Sequence, residues 1–151
     1  MSHTKTGSLG LMSRYRALVV FALLCGCTKV TVEPLDRQLE VRHVCIEDNP
    51  AVTVPGFVDV VRDGFRRHGI ETEVLSGERL EECEYRLTYT ALRSWDGVTY
   101  LAHAELRLLR NDTQVAYGEF HLRGKGGYDM SKFRSTESKM RPVIDELLQA
   151  Y

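Results

Sequence analysis

Four cysteines are the residues of this chain whose type and spacing could do chemistry, because thiols can be acylated, oxidised to disulfides or used as nucleophiles. Cys25 and Cys27 directly follow the apolar run 17–24, and that run follows a basic stretch containing Arg14 and Arg16. The run is too short to cross a bilayer, which needs about 20 apolar residues. A basic start followed by a short apolar run is typical of a removable signal peptide. We therefore expect the chain to be exported.

Leu24-Cys25-Gly26-Cys27 resembles the processing motif of bacterial lipoproteins, in which Leu, a variable residue and Gly or Ala precede the lipidated cysteine. The resemblance implies that residues 1–26 are a lipoprotein signal peptide and that acyl chains on Cys27 hold the protein on a membrane. Enterobacterial lipoproteins that stay in the inner membrane have Asp at the next position. Thr28 stands there instead, so the resemblance implies the periplasmic leaflet of the outer membrane. An ordinary secretory signal and a cytosolic protein with an apolar N-terminal helix stay as alternatives.

Cys45 and Cys83 remain once the two N-terminal cysteines are set aside. An even pair of cysteines in an exported chain favours a disulfide, and we expect one between these two residues. Closing a loop of about 40 residues stabilises a fold by about 3–4 kcal/mol in the loop-entropy model. Two buried free thiols are the alternative. A catalytic thiol is not expected, because no Cys-His signature surrounds either residue.

The rest of the chain predicts one small domain in which strands and helices alternate. Apolar residues recur at helical spacing over 57–68 and again from about residue 135, whereas 41–46, 71–75 and the meander 85–123 have the composition or alternation of strands. The predicted fold class is α+β. We expect a two-layer sandwich of a mostly antiparallel sheet of about five strands, with two helices on one face, in the order β-α-β-β-β-β-α.

Two turns set the register of the predicted meander. Asp96-Gly97 between alternating runs predicts a two-residue type I′ hairpin that places Ala91 opposite Ala102. At Asn111-Asp112-Thr113 we prefer a three-residue loop, because it gives the returning strand an apolar core face. That face consists of Ala116, Gly118, Phe120 and Leu122.

The second register brings polar side chains together on the face of the sheet that no predicted helix covers. It places His103 opposite His121 and Glu105 opposite Glu119. We expect this surface to contact a partner protein through Thr88, Thr90, His103, Glu105, Glu119 and His121. Two His and two Glu could in principle hold zinc. However, the sequence has no HxH or HExxH spacing at this place, so a solvated polar face is favoured and no metal is predicted.

Charge and motifs exclude further classes of function. The formal net charge is −1, and without a basic stripe we expect no nucleic-acid partner. The serines lack a nucleophile-elbow context and the carboxylates are scattered, so we predict no catalytic residues, no enzyme and no cofactor. We expect a lipidated N-terminus and tether over residues 27–39 and a single periplasmic domain over 40–151.

Three stretches further along the chain resemble a family of small proteobacterial lipoproteins of unknown function. They are Cys83-Glu84-Tyr85-Arg86-Leu87-Thr88-Tyr89-Thr90-Ala91, Ser94-Trp95-Asp96 and Lys132-Phe133-Arg134-Ser135-Thr136-Glu137. The order of elements is also similar to envelope accessory lipoproteins, a likeness of architecture alone. Both resemblances imply a lipid-anchored, non-catalytic binding or accessory subunit of a cell-envelope complex. The alternative is a periplasmic domain that binds a small ligand or a lipid between sheet and helices.

Overall fold

The computed structural model describes residues 28–123 and 130–151. The predicted signal peptide and the lipidation at Cys27 lie outside this part of the chain. The elements, in chain order, are β1 (Thr28–Glu33), β2 (His43–Glu47), α1 (Phe57–Arg67), β3 (Glu71–Leu75), β4 (Tyr85–Asp96), β5 (Val98–Arg110), β6 (Thr113–Leu122) and α2 (Thr136–Leu147), with short 3-10 helices at Arg37–Leu39, Gly77–Glu82 and Met130–Phe133.

These elements build the predicted two-layer α+β fold around one sheet. The strand order is β1-β6-β5-β4-β2-β3. β2 runs parallel to both β3 and β4, and the remaining neighbours are antiparallel. The sheet is therefore mixed, and it has six strands where about five were expected. No helix of the described residues is long and apolar enough to cross a membrane.

The extra strand corrects the predicted tether. Residues Thr28–Glu33 form β1, which pairs antiparallel with β6 from Thr28 opposite Leu122 to Glu33 opposite Tyr117. The physical reason is visible in the sequence Thr-Lys-Val-Thr-Val-Glu, because β-branched residues fill four of its six positions and fit a pleated surface. Part of the predicted tether, residues Thr28–Glu33, therefore belongs to the sheet of the domain.

Both helices pack on one face of the sheet and against each other. α1 buries Phe57, Val61, Gly64 and Phe65, and it ends at Arg67, one residue before the predicted end. α2 begins after Ser135, whose hydroxyl oxygen accepts a hydrogen bond from the backbone N–H of Ser138 at 3.1 Å. Its inner face consists of Met140, Val143, Ile144 and Leu147, which are buried.

The register predicted for the β4–β5 hairpin is wrong by two residues. Ala91 lies opposite Ala104 rather than Ala102. The turn is tighter than a type I′ turn, since Asp96 pairs with Val98 and only Gly97, with φ +73°, takes positive φ there. A bulge between Leu92 and Arg93 adds the second residue of shift. Because side chains alternate with period two, the shift of two leaves the side chains from Tyr85 to Leu92 and their partners on their predicted faces. Between the bulge and the turn the shift is one, and Leu101 is buried in the core instead of Ala102.

The register predicted for the β5–β6 pair is confirmed, although the predicted loop is wrong. The loop has two residues, Asn111 and Asp112, and both have positive φ as a type I′ turn requires. A bulge between Leu108 and Leu109 then shifts the pairing by one residue. Loop and bulge together give the same register as the predicted three-residue loop, with Leu108 opposite Ala116.

A disulfide joins Cys45 of β2 to Cys83, which lies just before β4. This bond is the one predicted from the cysteine count. Cys45 is buried in a small apolar cluster with Leu75 and Leu80. The disulfide therefore links β2, in the parallel part of the sheet, to the segment that leads into β4, the first strand of the meander.

Candidate functional site

The predicted partner surface lies on the sheet face opposite the helices, where no described helix packs. His103 is opposite His121 and Glu105 is opposite Glu119, as predicted. These four side chains form a cluster on β5 and β6, which we call the His-Glu cluster. Thr88 and Thr90 lie beside it on β4, opposite Arg107 and Glu105 respectively.

The two imidazoles are in direct contact. His103 Nδ1 lies 3.3 Å from His121 Nδ1, and the ring centroids are 5.4 Å apart at an interplanar angle of 71°. His103 Nε2 lies 3.1 Å from Glu105 Oε1. When Nε2–H donates to that carboxylate, His103 Nδ1 keeps its lone pair and faces His121.

Glu105 is held in its ionised form by the groups around it. Arg107 Nη2 and Nε donate hydrogen bonds to Glu105 Oε2 at 2.6 and 3.2 Å. The bonds from Arg107 lower the pKa of Glu105, burial opposes them, and the bond with His103 lowers the pKa further. The Arg107 guanidinium also lies over the Tyr117 ring, 5.2 Å from its centroid. The charged Glu105 carboxylate is therefore held in a fixed orientation next to His103 Nε2.

Glu119 completes the cluster from the neighbouring strand. Its Oε1 lies 3.8 Å from His103 Nδ1, and its side chain is 21% exposed. Thr31 of β1 is its register partner on the other side. The Thr31 hydroxyl oxygen is buried and makes no hydrogen bond with any described residue. The sequence analysis missed Thr31 and Lys29, because it assigned both residues to a tether. The four β-branched residues among the six of Thr28–Glu33 could have predicted a strand there.

The cluster offers metal ligands rather than a nucleophile. Within the part of the chain that the structure describes, His103, Glu119 and His121 are the one group of three metal-ligating side chains whose ligand atoms all lie within 4.8 Å of one another. His121 is exposed, whereas His103 and Glu119 are half-buried. The arrangement can accept protons, donate hydrogen bonds or coordinate a cation.

The alternative prediction is a ligand groove between the sheet and the helices, and buried side chains occupy much of that space. Side chains of α1, α2 and the inner sheet face belong to one continuous buried core. The packing is close enough that a Cβ on Gly118 of β6 would come within 2.9 Å of Val143 Cγ1. At these described residues the space between sheet and helices is filled by the protein's own side chains.

The tip of the β4–β5 hairpin is held by two buried lysines, Lys132 and Lys139. Lys139 Nζ donates hydrogen bonds to the carbonyl oxygens of Leu101 and Lys132, at 3.1 and 2.9 Å. Lys132, itself 3% exposed, forms an ion pair with Asp96 at the hairpin tip. These bonds fix the segment Met130–Phe133 against β5.

Comparison with known proteins shows a shared fold and no family. No protein-family model matches the chain, and no curated protein matches it. A PelC variant dodecamer from Paraburkholderia phytofirmans, in space group C2, is 16% identical with a TM-score of 0.54, over 82% of this chain and 99% of that one. The PelC dodecamer in space group P6 is 15% identical with a TM-score of 0.50, over 83% and 98%.

A third structure, a minor lipoprotein from Acinetobacter baumannii, is more distant. It is 13% identical with a TM-score of 0.31, over 70% of this chain and 86% of that one. We draw no conclusion from so low a score. At these identities, the PelC structures establish a common fold and leave function to be argued from the site.

Proposed function

We propose that this chain is a lipid-anchored protein of the bacterial cell envelope and serves as a non-catalytic accessory subunit of a larger assembly. The proposed anchor is a set of acyl chains on Cys27, and the proposed address is the periplasmic leaflet of the outer membrane. The observation that carries the proposal is that Thr28–Glu33, directly after Cys27 in the chain, is a strand of the sheet paired with β6. An acyl chain on residue 27 would therefore be attached next to the sheet itself.

The same end of the sheet carries exposed apolar side chains. Thr28 of β1 pairs with Leu122 of β6. In the next strand, β5, the position beside Leu122 is about residue 102. The β4–β5 hairpin continues about four residues further, roughly 13 Å at the usual rise of a strand. Four of the five large apolar side chains that are exposed in the described part of the chain lie at this end, namely Leu92, Trp95, Val98 and Phe133.

This composition fits a membrane interface. Trp95 is 73% exposed, and tryptophan is enriched where an apolar ring can enter the headgroup region. Exposed Arg93, Arg123 and Arg134 lie nearby in the chain, and cationic side chains near a bilayer surface favour anionic lipids. An acyl anchor and an apolar hairpin at one end of the domain would hold the sheet upright on the membrane.

The first experiment tests the anchor. The full chain would be expressed in a bacterial host with an alkyne-tagged palmitate and compared with Cys27→Ser. We expect label and diacylglycerol mass on the mature N-terminus of the wild type and neither on the variant. An unlabelled mature protein that fractionates with soluble periplasmic proteins would contradict the proposal.

The second experiment uses Trp95, the single tryptophan of the chain, as the probe. The acylated protein would be reconstituted into vesicles of phosphatidylethanolamine and phosphatidylglycerol with brominated acyl chains. Quenching of the emission by bromine is expected, because the hairpin tip would lie among the lipids. Emission that shifts to the blue without quenching would place Trp95 against protein instead, and unshifted emission would leave it in water.

Self-assembly is the form of accessory role that the comparisons favour. The two PelC structures are dodecamers, and we propose that this chain also forms a homo-oligomer in the plane of the membrane. Native mass spectrometry of the detergent-solubilised chain would count the subunits. Cross-linking in intact envelopes, with a secreted non-acylated form as the control, would identify any other partner. A monomer with no cross-linked partner would refute the accessory role.

A further inference from the structure

The His-Glu cluster has the spacing of a metal site rather than of an ordinary polar sheet face. Two ligands of a tetrahedral zinc ion, each at about 2.05 Å, lie about 3.3 Å apart. The observed distance between His103 Nδ1 and His121 Nδ1 is 3.3 Å. The two Nδ1 atoms therefore already have the separation that a shared zinc ion would impose.

We propose that His103, His121 and Glu119 bind a divalent transition-metal ion of the zinc type on the open face of the sheet. Glu119 Oε1 lies 3.8 Å from His103 Nδ1, and all three ligand atoms lie within 4.8 Å of one another, so the Glu119 carboxylate has to move toward the imidazoles to complete the tetrahedron. Water supplies the fourth ligand, because His121 is exposed and leaves that side open. This inference does not depend on acylation or on self-assembly.

The groups behind the ligands support this assignment. A metal-bound histidine usually donates its other N–H to a carboxylate, which fixes the ring and makes the free nitrogen a better ligand. Glu105 has this position, since its Oε1 lies 3.1 Å from His103 Nε2. Arg107 binds the other oxygen of Glu105 at 2.6 Å and keeps that carboxylate oriented. A solvated polar face has no need of this second layer.

The charges facing the site are compatible with a cation. Two carboxylates, Glu105 and Glu119, face it from β5 and β6. Arg107 is already paired with Glu105. Lys29 of β1, the register partner of His121, is exposed and extends into solvent. The metal would thus replace the direct contact between the two imidazoles, and no positive charge has to be buried to admit it.

Zinc titration of the full chain tests the site. The chain, purified in detergent without a histidine tag and stripped with a chelator, would be titrated with Zn²⁺ by calorimetry and with Co²⁺ by visible absorption. We expect one ion per chain and the intense absorption of four-coordinate Co²⁺. His121→Ala should abolish stoichiometric binding and leave the metal-free melting temperature unchanged, because its side chain is exposed.

Two further variants separate this site from adventitious binding. His43→Ala removes an exposed histidine of β2 outside the cluster and should bind zinc like the wild type. Glu105→Gln keeps all three ligands and should weaken binding by about 10–100-fold, the usual cost of losing an outer-shell partner. The proposal is overturned if the wild type binds no stoichiometric zinc, if His121→Ala binds it equally well, or if one ion is bound per two chains.

Discussion

The contact between the two helices makes a sharp test of how this fold is packed. Gly64 of α1 faces Ile144 of α2, and a Cβ built on Gly64 would lie 2.6 Å from Ile144 Cγ2. Both residues are buried, with Ile144 at 0% exposure. Gly64→Ala should gain about 1 kcal/mol of helix propensity. It should also lose about 1–3 kcal/mol to overpacking, so we expect no net gain and a net loss of up to about 2 kcal/mol in the free energy of unfolding.

Ile144→Ala should reverse the sign of the effect that Gly64→Ala has on the free energy of unfolding. Ile144→Ala alone should cost about 2–5 kcal/mol, because it leaves a cavity in the core. In that background the nearest remaining atom is the Cβ of residue 144, at 3.3 Å from the added methyl group. Gly64→Ala should then become stabilising by about 1 kcal/mol, since its propensity gain remains and the new methyl fills part of the cavity. The coupling energy of the cycle should therefore be about 1–3 kcal/mol.

Equilibrium unfolding in guanidinium measures all four proteins of this cycle. Far-UV circular dichroism of the detergent-solubilised chain, at several protein concentrations, would separate folding from assembly. Arg62→Ala and Arg62→Gly, compared with each other at an exposed position of α1, measure the propensity difference between Ala and Gly without a packing contact. The packing argument fails if Gly64→Ala stabilises the wild type by its full propensity gain, or if its effect is the same in both backgrounds.

Two further predictions concern covalent and electrostatic stabilisation. The Cys45–Cys83 disulfide spans 38 residues, so Cys45→Ala/Cys83→Ala should lose about 4 kcal/mol in guanidinium unfolding; a loss below about 1 kcal/mol would contradict this. Burial raises the pKa of Asp145, but hydrogen bonds from Arg67 and His68 outweigh it and set the pKa below the ordinary 3.8. A lowered carboxyl pKa contributes stability above the ordinary value that is lost as pH falls through the folded value. Asp145→Asn should thus be less stable than the wild type at pH 6 by no more than about 1 kcal/mol, since the pair is partly exposed. When unfolding is measured at decreasing pH, the difference between the two free energies of unfolding should disappear. A difference that stays constant down to pH 2 would refute the linkage.

The meander shows which features of a sheet are readable from sequence. Alternation of apolar residues identified the inner face of β4 and β5 correctly even though the predicted pairing of Ala91 was wrong by two residues. Register errors of an even number preserve faces, so face assignment is more robust than pairing. The bulges between Leu92 and Arg93 and between Leu108 and Leu109 have no local sequence signal, because a bulge depends on how two strands pair and on the extra twist and bend it gives them.

The His-Glu cluster was predicted in part for the same reason. The prediction that His103 pairs with His121 assumed a three-residue loop and no bulge. The observed loop is one residue shorter and the bulge adds one residue, so the two errors cancel and the pairing is as predicted. The roles of Thr31 and Lys29 could not be derived once residues 27–39 were assigned to a tether. An edge strand is added to a sheet by long-range pairing, which a single short segment does not specify.

The start of β1 connects the two proposals in space. Thr28 pairs with Leu122, and the next pair along the strand is Lys29 with His121. His121, one ligand of the proposed metal site, is paired with Lys29 and therefore lies two strand residues, about 7 Å, from the level of the proposed acyl anchor on Cys27. A metal ion at this position would sit close to the lipid headgroups, where phosphate oxygens can supply its fourth ligand in place of water. If both proposals hold, zinc should bind more tightly to the chain in anionic vesicles than in nonionic detergent, and His121→Ala should remove this difference. Equal affinity in the two settings would separate the metal site from the membrane.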